Sequence, residues 1–122
     1  MPEKQELAGI RVLLVEDEPL VAMGIADQLS AAGASIVARC ATARSAIDAL
    51  QTKEVDVAVI DFVLADSNSG QVQAALESKG VPFVVLTGYP RVLVRRTEHQ
   101  HVLSKPLAAD RLCSTVKDLA LA

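Results

Sequence analysis

Aromatic residues are nearly missing from this chain: no Trp, one Tyr and two Phe among 122 residues. Its apolar content is instead mostly Ala, Val and Leu, the composition expected where helices pack closely on a sheet. Cysteine is scarce too. Cys40 and Cys113 stand far apart without ligand-like spacing, which excludes a disulfide framework or a cysteine metal site and reads as two small apolar residues in a reducing compartment. No segment approaches the roughly 20 consecutive apolar residues that cross a bilayer. The start of the chain, 1–9, is polar and mixed in charge, so it reads as a tail and not a secretory signal. Positive charge is also in short supply. With 12 Lys and Arg against 15 Asp and Glu, the net charge of −3 gives no electrostatic footprint for nucleic acid. These absences predict a soluble, cytoplasmic protein. What is present is 51% hydrophobic and 22% charged residues, enough to bury one real core and too apolar for disorder.

Apolar runs and helical patterns alternate along the chain. Arg11–Val15 (RVLLV) reads as a strand, and 19–32 as a helix with Val21, Ile25 and Leu29 on one stripe. Ser35–Cys40 (SIVARC) is a second strand, and Thr42 is placed to cap a helix whose Ala43, Ala46, Ile47 and Leu50 share a face. A third strand follows at 55–60 (VDVAVI), a helix at 69–79 that stops at Gly80, and a fourth strand at 82–86 (PFVVL). A short basic helix is expected within 91–98, a fifth strand at 101–104, and a last helix over 107–121 with Leu112, Val116 and Leu119 on one face. Five βα units in succession predict an α/β fold with a parallel sheet covered on both sides. Strands one, three and four are nearly continuous apolar runs, as central parallel strands should be. Strands two and five carry Arg39, His101 and Ser104 and read as edges. That sorting fits the flavodoxin-like (βα)5 order 2-1-3-4-5, in one domain over 10–122.

The ionisable residues fall at one end of this sheet. Glu16 and Asp17 follow strand one, Asp61 ends strand three, Thr87 ends strand four and Lys105 follows strand five. These are carboxyl ends, where open α/β sheets build their sites. Strands one and three are neighbours in the expected order, so Glu16, Asp17 and Asp61 should converge. At about 5 Å and an effective dielectric near 20, each carboxylate pair costs roughly 3 kcal/mol. A sequence that accepts this repulsion points to a cation. Oxygen ligands too few for a full cage suit Mg²⁺ that keeps waters and shares a phosphate. Lys105 adds a fixed positive charge and Thr87 a hydroxyl donor, so the set reads as a phosphoryl site with a carboxylate nucleophile.

With Glu16-Asp17, Asp61, Thr87-Gly88 and Lys105-Pro106 in this order, the sequence resembles the receiver domain of bacterial two-component response regulators. The stretch VPFVVLTGYP at 81–90 is further similar to the single-domain subgroup with a Thr-Gly-Tyr-type motif, which is associated with general-stress signalling in alphaproteobacteria. The resemblance implies that Asp61 is the phosphoacceptor. It implies that Asp17 and Asp61 ligate Mg²⁺ with the carbonyl of Val63, while Glu16 acts mostly through water. Thr87 would bond the phosphoryl oxygen and move toward it on activation, and Lys105 would pair with the phosphoryl group. The donor would be a histidine kinase or a histidine phosphotransfer protein, with a downstream protein as target. Arg91, Arg95 and Arg96 are either a solvated helix face or part of the surface that transmits the signal.

The sequence also departs from the family's pattern. Val102 stands where an aromatic usually switches rotamer, and Tyr89 is the one tyrosine able to take over part of that role. Val63 and Tyr89 are poor at activating water, which implies slow self-dephosphorylation. The chain ends about one helix after Lys105, so the expectation is a single-domain regulator or phosphate sink that catalyses only its own phosphorylation and dephosphorylation. A docking module that works without phosphorylation is the main rival. An aspartate-nucleophile phosphatase would need a second Asp at position 63, where Val stands. A nucleotide site would need glycines in the acidic VEDEP turn. The His99-x-His101 pair lacks further metal ligands.

Overall fold

The computed structural model of the chain describes residues 6–61, 64, 69–87, 100–104 and 109–121. Five parallel strands form one sheet: β1 (Arg11–Val15), β2 (Ser35–Cys40), β3 (Val57–Asp61), β4 (Phe83–Thr87) and β5 (Gln100–Ser104), in the order β2-β1-β3-β4-β5. Four helices are described: α1 (Pro19–Ala31), α2 (Ala43–Thr52), α3 (Gly70–Lys79) and α4 (Ala109–Leu121). The strand order and the edge positions of β2 and β5 agree with the sequence reading. The helix expected within 91–98 lies outside the described residues.

Alternation along the central strands divides the core in two. Val12, Leu14, Val57, Val59, Val84 and Leu86 face one side, under Ile25 and Leu29 of α1 and Leu112 and Val116 of α4. Leu13, Val15, Ala58, Ile60, Phe83 and Val85 face the other, under the Ala43, Ala46, Ala49 and Leu50 stripe of α2 and Val72 and Leu76 of α3. The alanines let α2 lie close to the sheet. Ala49 is buried where Ile47 was expected, because the buried stripe is centred between Ala46 and Leu50 and leaves Ile47 on its flank, half-buried.

Local chemistry sets the element ends. Pro19 presets φ for the first turn of α1. The Ser45 amide donates to Thr42 Oγ1 at 3.1 Å, the cap expected for α2. Gly80 ends α3 at φ 72°, and the Val81 amide turns back to the Leu76 carbonyl at 2.9 Å. β3 begins at Val57, two residues later than expected, because Asp56 is engaged elsewhere. Its carboxylate accepts from the Arg11 amide at 2.8 Å and from Arg11 Nε and Nη2 at 3.0 Å each, while its own amide donates to the Arg11 carbonyl at 2.9 Å. This clamp locks the amino ends of β1 and β3 in register, with Val12 opposite Val57. Hydrogen bonds from Arg11 hold the Asp56 carboxyl below its usual value, against a smaller opposing effect of burial.

Candidate functional site

The site lies at the other end of the same two strands. Val15 pairs with Ile60, so the residues next in line, Glu16 and Asp61, emerge side by side, and Asp17 follows at the turn into α1. One carboxylate oxygen from each of Glu16, Asp17 and Asp61 lies within 4.8 Å of the other two. Glu16 is 4% exposed, Asp61 8%, and Asp17 is intermediate. The backbone fixes Glu16 on both sides. Its amide donates to the Cys40 carbonyl at the end of β2 at 2.8 Å, and its Oε2 accepts the Glu18 amide at 3.2 Å. That second bond turns the carboxylate toward the start of α1, where the helix dipole favours negative charge. Neither bond was legible in the sequence, since Glu18 and Cys40 take part through their backbones.

This donor set fits a hard divalent cation. Three carboxylates supply oxygen alone, and two of them are withdrawn from the water that would otherwise screen their repulsion. Mg²⁺, which keeps waters and takes few protein ligands, matches three donors better than Ca²⁺, which takes six to eight. A soft metal is poorly served. The nearby Cys40 thiol is buried, and burial pushes it up from its usual value, with the Ser45 hydroxyl opposing the shift.

The remaining expected residues are placed in part. Asp61 pairs with Leu86, so the Thr87 backbone ends β4 one step beyond it, opposite Ser104 of β5. Val102 sits mid-strand in β5, opposite Val85. Val63, Tyr89, Arg91, Arg95, Arg96 and Lys105 lie outside the described residues. Between β3 and α3, Leu64 is buried in the α2–α3 core, and buried Ser69 accepts a 2.9 Å hydrogen bond from Gln73 Nε2.

Residues 12–117 match the response regulator receiver domain family. The chain belongs to that family. The receiver is 30% identical over 115 residues to an uncharacterized response regulatory protein of Yersinia pestis, covering 91% of this chain and 48% of that protein. Among solved structures, the receiver domain of PhyR from Erythrobacter litoralis superposes with a TM-score of 0.80 at 30% identity, covering 93% of this chain and 91% of that one. A double mutant of the anti-anti-sigma factor PhyR of Bartonella quintana gives a TM-score of 0.83 at 27% identity, over 98% of this chain and 51% of that one. The receiver thus spans about half the length of the Yersinia and Bartonella proteins. It is a signalling module by family. No helix among its described residues is long and apolar enough to cross a membrane.

Proposed function

We infer that this receiver is a phosphorylation-controlled switch that accepts a phosphoryl group on Asp61. The observation that carries the reading is the convergence of Glu16, Asp17 and Asp61 at the carboxyl ends of adjacent parallel strands, two of them buried. Asp17 and Asp61 would hold Mg²⁺ with the Val63 carbonyl, and Glu16 would hold its waters. Bound there, Mg²⁺ offsets the charge of the carboxylates and of the phosphoryl oxygens. An Asp61 oxygen attacks the phosphorus in line as the bond from phosphorus to the donor's imidazole nitrogen breaks. The electron pair stays on that nitrogen, which takes up a proton. Lys105 pairs with the transferred group, and Thr87 bonds one of its oxygens and draws the end of β4 inward. That movement shifts an existing equilibrium at the surface that meets the partner, and Tyr89, Arg91, Arg95, Arg96 and Val102 are the residues proposed to transmit it.

A histidine kinase or histidine phosphotransfer protein would supply the phosphoryl group, in a cytoplasmic setting. The Bartonella relative is an anti-anti-sigma factor, and by analogy the output here is a changed protein–protein contact. Intact mass after incubation with Mg²⁺ and acetyl phosphate tests the reading. Wild type should gain one phosphoryl group only when Mg²⁺ is present, and Asp61→Asn should gain none. If neither acetyl phosphate nor a phosphorylated kinase labels the wild type, the switch reading is lost and docking without phosphorylation replaces it.

A further inference from the structure

β2 has a fault in its register. Arg11 and Val12 pair with Ser35 and Ile36, but Leu13 pairs with Ala38, so Val37 is the extra residue of a β-bulge. One extra residue exchanges the two faces of a strand for everything beyond it. The packing records that exchange. Ile36 packs against the core under α1 and α4, whereas Ala38, two residues on, packs against the core under α2 and α3. Cys40 follows Ala38 onto that second face. Arg39, between them, is turned to the α1 side, in register with Leu14. There it lines a cavity of about 320 Å³ with Glu16, Asp17, Pro19 and Ala22. An unbroken strand would have sent Arg39 to the α2 side. Arg39 is exposed and makes no ion pair or hydrogen bond among the described residues.

A fixed positive charge beside two of the three carboxylates acts in opposite directions on the two species the site must take up. It repels a divalent cation and attracts an anionic donor. We propose that Arg39, aimed by the β2 bulge, is a positioning residue of the phosphoacceptor site that draws in the anionic phosphoryl donor and holds down the affinity for Mg²⁺. The donor half rests on the reading of Asp61 as phosphoacceptor, and the cation half on the carboxylate cluster alone. A round cavity of this volume is roughly 8 Å across, and at that distance in a water-like medium one unit charge changes the affinity of a divalent ion by about twofold at physiological salt and about fourfold at low salt.

The test compares wild type, Arg39→Ala and Arg39→Lys at low salt, with thermal melts to establish that all three fold. Calorimetric titration gives the Mg²⁺ dissociation constant. Intact mass at saturating Mg²⁺ gives the acetyl phosphate concentration for half-maximal phosphorylation rate. Under these conditions Arg39→Ala should bind Mg²⁺ about fourfold tighter and need more acetyl phosphate by a similar factor. Arg39→Lys should stay near wild type in both, and the differences should fade in about 0.5 M salt, where the screening length falls to roughly 4 Å. A purely structural role would not move the two constants in opposite senses. Unchanged constants, or both moving together, overturn the proposal. If the wild type takes no phosphoryl group, the phosphoacceptor reading and the donor half fail, while the calorimetry still upholds or overturns the cation half.

Discussion

At the residue scale, the three acids were placed by their position at strand ends, and the structure adds their closeness and the burial of Glu16 and Asp61. Asp17, the most exposed of them, is the best probe of their mutual repulsion. Asp17→Asn removes one of three like charges, and because the position is half in solvent the relief should be about 1 kcal/mol, or roughly 3–5 °C in Tm. The same change should weaken Mg²⁺ binding by roughly tenfold or more. Melts of wild type and variant in EDTA, with Mg²⁺ titrations of both, check the pair. A variant that is less stable than wild type without metal would show that repulsion is not what the cluster carries. The backbone partners of Glu16 escaped the sequence because any residue offers an amide or a carbonyl, so side-chain identity at Glu18 and Cys40 holds no trace of the contact.

At the element scale, periodicity locates the five strands and the four described helices, and a boundary shifts where a side chain competes with the ladder. Asp56 is the clearest case, sitting inside an apolar run yet binding Arg11 instead of extending β3. The β2 bulge left no mark in composition, since Val37 is as good a strand residue as its neighbours. The Arg11–Asp56 clamp makes a prediction with a definite sign. A carboxyl held below its usual value stabilises the fold at every pH above its unfolded value and loses that contribution as the pH falls through the folded one. Asp56→Asn should therefore lower Tm modestly at pH 7, by a few degrees at most for so exposed a pair. The deficit should shrink once the pH drops below 3.8, the ordinary value for this group, and close at lower pH. Thermal melts across that range decide it. A deficit that persists unchanged below pH 3 would assign the effect to packing instead of charge.

At the scale of the whole molecule, fold class and strand order could be read because central and edge strands differ in their apolar continuity. Which core face each helix covers follows from that order once the right-handed crossover is applied, and the two core clusters obey it. A cation that binds only the folded chain couples the acid cluster to global stability. Mg²⁺ at a hundred times its dissociation constant should add roughly 2.7 kcal/mol, a Tm rise of roughly 8–13 °C for a domain of this size. EDTA should reverse the rise and Asp17→Asn should blunt it, and a Tm indifferent to Mg²⁺ would remove the cation from the account.

The strand order β2-β1-β3-β4-β5 also gives the molecule a chronology. Synthesis releases roughly 5–20 residues per second, and β1 and β2, the first two strands made, are neighbours in the sheet. Asp61 arrives with β3, so a sheet that assembled in the order of synthesis would carry its like charges in one crevice before β4 and β5 exist. Each later strand then adds to the same growing edge in the order of its synthesis. The chain meets its electrostatic difficulty half-made, and an ambient divalent ion would be of use to it well before any signal arrives.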